Sequence, residues 1–204
     1  MNNPLRICFF GDSFANGTGD DDCLGWVGRL CAAARRSGCD VTAYNLGIRR
    51  DTSGDIANRW QSEGAARLPD QYDGRLVFAF GTNDCVTHED GDGPRVPMDR
   101  AIANAHEILS AARAWKPTLM LGPMPISEPI ADGRIETLSH ELATRCAALT
   151  VPYLNLFPIA AAIGDVWRRE TETGDGVHPN RQSYAHIAQA IEQWPAWRGW
   201  IDPR

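Results

Sequence analysis

The stretch that decides the fold is Leu5-Arg6-Ile7-Cys8-Phe9-Phe10, followed at once by Gly11-Asp12-Ser13. The first six residues are mostly apolar, as expected of a strand that is buried on both faces of a sheet. The Gly-Asp-Ser segment then predicts a sharp turn that leaves the strand. Because rigid backbone would hold a serine on this turn at the end of the sheet, Ser13 is a candidate nucleophile.

Four further strand candidates follow along the chain, and amphipathic helical patterns separate them. The strands are predicted at 41–45, 76–80, 118–121 and 151–155, and the expected helix N-caps include Ser53 and Asn180. This alternation is typical of right-handed crossovers and a mostly parallel sheet with helices on both faces. We therefore expect one domain over residues 1–204, an α/β fold of the flavodoxin-like kind. It is a three-layer α/β/α sandwich with a five-stranded, mostly parallel sheet.

Composition excludes several classes of partner. The 204 residues carry a net charge of −6 and show no basic stripe, which argues against nucleic acid or an anionic membrane as a partner. No run of eighteen apolar residues predicts a membrane span, and no export signal is visible, so we expect a cytoplasmic protein. The six cysteines lack metal-ligand spacing and are expected to be reduced core residues, although Cys85 lies beside a motif.

Polar motifs follow the first three predicted strands. Gly11-Asp12-Ser13 follows the first, Asn45-Leu46-Gly47 ends the second, and Gly81-Thr82-Asn83-Asp84 follows the third. In parallel sheets ligands bind outside the carboxyl ends of the strands, so these motifs should gather at one edge. A fourth motif, Asp175-Gly176-Val177-His178-Pro179-Asn180, precedes the last predicted helix.

These four motifs, in this order, resemble the SGNH hydrolases, also called GDSL hydrolases. The resemblance covers residues 5 to about 194 and implies the SGNH hydrolase fold. It implies that Ser13 is the nucleophile, and that Asp175 and His178 complete a catalytic triad. It also implies an oxyanion hole formed by the backbone N–H groups of Ser13 and Gly47 and the side-chain amide of Asn83. Glycine suits position 47 because a backbone N–H can point at a substrate only where no side chain blocks it.

Elementary chemistry agrees with these roles. A serine hydroxyl is a poor nucleophile unless a base removes its proton, and His178 is the candidate base. Asp175, three residues earlier, can accept the other imidazole N–H and orient the ring. Phe14 replaces the leucine usual after the nucleophile, a position beside the chemistry rather than part of it.

The leading hypothesis is therefore a serine hydrolase that cleaves a small-molecule carboxylic ester through an acyl-enzyme, with no metal or organic cofactor. Short-chain and aryl esters, thioesters, lysophospholipids and acetylated carbohydrates are all substrates in the wider family, and the choice among them stays open. The loops at 84–99, 123–133 and 156–174 should form the pocket walls. We expect substrate contacts from Asp12, Asp84, Val86, Met124, Ile126 and Val177, of which Asp12 and Asp84 also brace their loops.

The competing hypothesis is a non-catalytic or phosphate-handling α/β domain, in which Asp20-Asp21-Asp22 would hold magnesium. No G-x-x-x-x-G-K-[ST] loop occurs, and the three acids are better explained as the start of a helix. A further open question is the tail, where Trp194, Trp197 and Trp200 are expected to pack onto the domain. A homo-oligomer contact is the alternative for these tryptophans.

Overall fold

The structure is a computed structural model that describes residues 4–89, 91 and 93–201. Within this part of the chain, one five-stranded sheet has the order β2-β1-β3-β4-β5, and every strand pair is parallel. The predicted α/β/α sandwich is confirmed. The strands are β1 (Leu5–Gly11), β2 (Val41–Gly47), β3 (Asp73–Ala79), β4 (Thr118–Leu121) and β5 (Tyr153–Leu154).

Helices connect the strands and follow the last one. In chain order they are α1 (Ser13–Asn16), α2 (Gly25–Arg36), α3 (Ser53–Arg67), α4 (Thr82–Cys85), α5 (Met98–Trp115), α6 (Pro129–Ala148), α7 (Leu156–Ile163), α8 (Asp165–Thr173), α9 (Arg181–Gln193) and α10 (Pro195–Ile201). No helix in the described ranges is long and apolar enough to cross a membrane.

Two neighbouring phenylalanines of β1 show how the layers form. Successive side chains of a strand point to opposite faces of its sheet. Phe9 accordingly packs against Trp26 of α2 and Trp197 of α10, whereas Phe10 packs against Trp60 of α3. β1, an inner strand of the sheet, therefore contributes to both hydrophobic layers, which explains its mostly apolar sequence.

The register of the sheet places the polar motifs together. Gly11, the last residue of β1, pairs with Gly47 of β2 and with Ala79 of β3. Because these three strands are parallel and end level with one another, the segments that follow them emerge at the same edge of the sheet.

The predicted element boundaries need correction at several places. β2 continues to Gly47, and β3 begins at Asp73 rather than at residue 76. β5 is shorter than predicted, because the Val151 N–H is bonded to the end of α6 and the Asn155 side chain caps α7. Thr52, not Ser53, is the N-cap of α3, with a capping box to Asp55.

The acidic run at 20–22 does not begin a helix, because α2 starts only at Gly25. Asp20 instead accepts hydrogen bonds from the Leu24 and Gly25 N–H groups and pairs with Arg29. Asp22 pairs with Arg29 as well, and also with Arg181 of α9. These carboxylates therefore tie the loop after α1 to α2 and to α9. In the described ranges, no group of three or more His, Cys, Asp or Glu side chains is arranged to hold a metal ion.

The tryptophans of the tail pack against the sheet. Trp197 is fully buried against Phe9, and Trp200 contacts Trp197 and lies under the Arg75 guanidinium. The expected packing of the tail is confirmed.

Candidate active site

Ser13 is the first residue of the short helix α1, directly after β1. Asp12 is the N-cap of this helix, and its Oδ1 accepts a hydrogen bond from the Phe14 N–H at 2.9 Å. The Asn16 N–H donates to the Asp12 carbonyl at 3.0 Å, which closes the turn. Ser13 itself is only 5% exposed, so the turn presents its hydroxyl from a fixed and largely buried backbone.

The predicted Ser–His–Asp set is brought together although its members are far apart in sequence. Ser13 Oγ lies 2.7 Å from His178 Nε2, and His178 Nδ1 lies 2.7 Å from Asp175 Oδ2. The contact with the Asp175 carboxylate favours the tautomer that carries the ring proton on Nδ1. In this tautomer Nε2 can accept the Ser13 hydroxyl proton. The arrangement can therefore move a proton from the serine oxygen to the imidazole.

The Asp175 carboxylate is held in its ionised form. Partial burial opposes ionisation, but the hydrogen bonds from the His178 backbone and ring and from the Val177 N–H outweigh it, and they lower the pKa of Asp175 to about 2. A carboxylate that stays negative near neutral pH can stabilise the positive imidazolium that forms when His178 accepts a proton.

The loop that carries His178 is fixed by Glu170, a residue that the sequence did not reveal. The Glu170 carboxylate accepts hydrogen bonds from the N–H groups of Asn180, Gln182 and Ser183 at 2.9–3.1 Å. It therefore satisfies free donors in the first turn of α9, directly after the histidine. No spacing rule links Glu170 to these groups, because α8 and α9 meet only in the folded chain.

Asn180 and Asp21 form a second tie, which joins the loop that carries His178 to the loop that follows α1. The Asn180 side chain accepts from the Asp21 N–H at 3.1 Å and donates to the Asp21 carboxylate at 2.9 Å. Gly19 allows close approach, since a Cβ there would lie 2.9 Å from the His178 Cβ. The two loops thus pack directly on each other, which sets the Ser13–His178 distance.

Asn83 lies in α4, after β3, and faces the same cavity as Ser13. Its Nδ2 donates to the Asp51 carbonyl at 3.1 Å, which orients the amide. Because a side-chain amide carries two N–H donors, a second donor stays available for a substrate oxygen.

Gly47 does not present its N–H to the cavity, so the predicted donor role is not supported. The Gly47 N–H donates to Asn45 Oδ1 at 3.0 Å, and Gly47 is absent from the described residues that line the cavity. The position needs glycine for a different reason. A Cβ here would lie 2.7 Å from the Asp12 carbonyl oxygen, 2.8 Å from the Ala15 carbonyl carbon, and nearer still to the Asn16 nitrogen. Gly47 is therefore where β2 packs against the nucleophile turn.

Arg50 lies where the loop after β2 reaches the cavity. It has a left-handed backbone with φ of 72°, which is uncommon for a residue other than glycine. Its N–H has no hydrogen-bond partner among the described residues, and the residue lines the cavity. The Arg50 N–H is thus a candidate donor in place of the Gly47 N–H. Nothing in the residue type signals this role, which depends on the backbone conformation.

The cavity beside Ser13 has a volume of about 220 Å³. One part of its wall is apolar, and another carries arginines that sequence reasoning did not select. The described lining residues are Ser13, Phe14, Arg49, Arg50, Thr82, Asn83, Val86, Thr87, Glu89, Arg95, Ile126, Val177 and His178.

Half of the expected substrate contacts lie in this wall. Val86, Ile126 and Val177 line the cavity, whereas Asp12, Asp84 and Met124 do not. The prediction of substrate contact is wrong for these three residues for the same reason. Each residue is buried and bonded to another part of the fold. Asp12 caps α1, Asp84 accepts from the Ser53 N–H and hydroxyl, and the Met124 backbone bonds Thr82. Cys85 is also buried and does not line the cavity, and burial raises its thiol pKa to about 12.

Asp12, the residue before Ser13, has an unusually high pKa for an aspartate. Burial raises its pKa to about 7, and the nearby Asp84 and Asp51 carboxylates raise it as well. The hydrogen bond from the Phe14 N–H acts in the opposite direction, because it favours the ionised form. An ordinary aspartate in the unfolded chain ionises near pH 3.9. Because the folded state holds its proton more tightly than the unfolded state, this group weakens folding progressively as the pH rises from about 4 to about 7.

Asp12→Asn is therefore expected to reduce this pH dependence. Relative to the wild type, the variant should gain unfolding free energy between pH 4 and pH 8, by an amount on the order of 4 kcal/mol at most. The measurement is urea-induced unfolding of both proteins at several pH values, with the difference plotted against pH. A difference that stays flat from pH 4 to pH 8 would contradict the raised pKa.

Comparisons with known proteins indicate the class to which this protein belongs. The model of the GDSL-like lipase/acylhydrolase family matches residues 9–186. The structure resembles Axe2, an acetylxylan esterase from Geobacillus stearothermophilus, with a TM-score of 0.77 at 16% identity over 100% of this chain and 96% of that one. It also resembles a lipolytic protein of the G-D-S-L family from Veillonella parvula, with a TM-score of 0.74 at 18% identity over 93% and 98% of the two chains. No curated protein matches the sequence.

The fold, together with the family match, defines an enzyme that hydrolyses ester bonds. The chain belongs to the GDSL-like lipase/acylhydrolase family, whose model spans most of its length. The resemblance inferred from the four motifs is thereby confirmed.

Proposed function

We propose that this enzyme cleaves carboxylic esters through an acyl-enzyme on Ser13. The observation that carries the proposal is the pair of 2.7 Å contacts that links Ser13, His178 and Asp175. His178 takes the hydroxyl proton as Ser13 Oγ bonds to the ester carbon. The tetrahedral intermediate then expels the alcohol, which receives that proton from His178. Water repeats the sequence on the acyl-enzyme, releasing the acid and restoring the serine.

The negative charge on the attacked carbonyl oxygen needs hydrogen-bond donors. We assign this role to the Ser13 N–H and to the free N–H of the Asn83 amide, with the Arg50 N–H as the third donor. Such donors act most strongly when the fold holds them in place beforehand, as the bond from Asn83 to Asp51 does here.

The substrate that fits this cavity best is an ester with a short acyl group. Phe14, Val86 and Ile126 supply an apolar surface, but the cavity of about 220 Å³ is too small to enclose a long chain. Axe2, which shares the fold, is an acetylxylan esterase, and its catalytic mutants replace a serine, an aspartate or a histidine by alanine. These observations favour acetyl esters, including carbohydrate O-acetyl groups, over lysophospholipids and long-chain thioesters.

A series of 4-nitrophenyl esters tests this proposal. We expect kcat/KM to be highest for acetate or propionate and to fall at least about tenfold by octanoate, because a cavity of about 220 Å³ must distort to admit the longer chain. The rates of acetate release from acetylated xylose and from acetyl-CoA then show whether the enzyme prefers an alcohol or a thiol leaving group. If none of these compounds is hydrolysed, the proposal fails. If octanoate is the best ester, the short-acyl assignment alone is wrong.

A further inference from the structure

Charge is unevenly distributed around the cavity. The whole chain has a net charge of −6, yet the described residues that line the cavity include three arginines and one glutamate. Glu89 pairs with Arg50, and both side chains are mostly exposed. Arg95 is half-buried and donates to the Arg50 carbonyl at 2.9 Å. The described part of the cavity wall is thus positively charged in a negatively charged protein.

Among the arginines that line the cavity, Arg49 has the guanidinium that is best placed to bind a ligand. Its Nη2 lies 3.6 Å from Asp175 Oδ2, which is an ion-pair separation but too long for a hydrogen bond. The guanidinium donates no hydrogen bond to any other residue that the structure describes, and its side chain is 60% exposed. A guanidinium presents N–H donors in a planar fork that matches carboxylate and phosphate oxygens.

The position of Arg49 tells which part of a substrate it would meet. The leaving alcohol must lie within reach of His178 Nε2, because that atom supplies its proton. The Arg49 guanidinium lies beside Asp175, on the histidine side of the site, whereas the backbone N–H of the next residue, Arg50, is a proposed oxyanion donor. The group that extends toward Arg49 is therefore the alcohol portion rather than the acyl chain.

We propose that the substrate is an ester whose leaving alcohol carries an anionic oxygen group, a carboxylate or a phosphate, which Arg49 binds. This inference rests on the proposed esterase function and specifies its substrate class. Arg95 strengthens the positive field at the same wall, whereas Glu89 offsets the charge of Arg50. Exposed charges within about 10 Å still act on one another at moderate salt.

Three acetyl esters that share one aromatic ring provide the test. They are 4-acetoxybenzoate, 4-acetoxyphenyl phosphate and the neutral 4-acetoxybenzamide, with each kcat/KM divided by the uncatalysed hydrolysis rate. We expect at least one anionic ester to exceed the neutral ester by about tenfold, the size of one hydrogen bond to a charged group. The two anionic esters distinguish carboxylate from phosphate recognition. The ratio should shrink as sodium chloride is raised.

Arg49→Ala should bring the anionic-to-neutral ratio close to one, and Arg49→Glu should bring it below one. Arg36→Glu is the matched control, since it makes the same charge change at the exposed end of α2, at the opposite edge of the sheet, and should leave the ratio unchanged. If Arg49 only orients Asp175, Arg49→Ala will lower the rates for all three esters equally and keep the ratio. Equal hydrolysis of the three esters by the wild type would overturn the anion proposal, whereas no hydrolysis of any ester would overturn the esterase function itself.

Discussion

Ser13→Ala is expected to lower kcat for ester hydrolysis by a factor on the order of 10⁴ or more, because it removes the hydroxyl that lies within hydrogen-bond distance of His178 Nε2. Ser13 Oγ is the atom at 2.7 Å from His178 Nε2, and alanine removes it without adding volume to the turn. The fold should therefore persist. Any hydrolysis that is left would come from binding and from the oxyanion donors alone.

A fluorophosphonate probe separates this outcome from a general loss of structure. The wild type should be labelled and Ser13→Ala should not, while both give the same urea unfolding curve. Ser62→Ala is the matched control, since Ser62 is exposed on α3 and bonds only the Arg59 carbonyl. Labelling that persists in Ser13→Ala would show that the nucleophile has been assigned to the wrong residue.

Gly47→Ala is expected to have the second largest effect, on stability and activity together. The added Cβ would press on the backbone of Asp12 and Ala15, which a side-chain rotation cannot relieve. Overpacking of this kind costs about 1–3 kcal/mol of unfolding free energy. A shift of the nucleophile turn by about 1 Å can lower kcat roughly 10²-fold.

Urea unfolding and kcat on 4-nitrophenyl acetate measure both parts of this prediction. Gly133→Ala is the control, because a Cβ at that helical position of α6 meets no atom within 4 Å and alanine favours helix. That variant should be as stable as the wild type or slightly more so. Wild-type stability and kcat in Gly47→Ala would refute the packing role of Gly47.

The sequence was sufficient for the parts of the site that are set by local rules. The Gly-Asp-Ser turn and the Asp-x-x-His spacing are short-range features, and the structure brings Ser13, His178 and Asp175 within hydrogen-bond distance. The role of Gly47 was not decidable in this way. Glycine is required both where an N–H must be exposed and where two backbones pack closely, so the residue type does not distinguish the two roles. The pairing of Gly47 with Gly11 shows that Gly47 still belongs to β2.

Other features depend on contacts between distant segments. Residues 156–174 were expected to form a loop at the pocket, yet they contain α7 and α8, with Gly164 between the two helices. Each helix is short, so its apolar period covers few turns and gives a weak signal. Glu170 acts on α9 only through this tertiary arrangement, and the arginines at 49 and 50 look like ordinary surface residues in the sequence.

The 165-residue separation between Ser13 and His178 has a consequence for the chain during its synthesis. A nascent polypeptide that ends before residue 175 carries the serine without its base, and an isolated serine hydroxyl is an unreactive alcohol. The turn after β1 can form early, because its hydrogen bonds are local. The proposed reactivity requires His178 to reach Ser13, which joins two distant parts of the chain as α9 packs on α2. Under the mechanism that we propose, the unfinished protein is therefore not acylated while it is still being made.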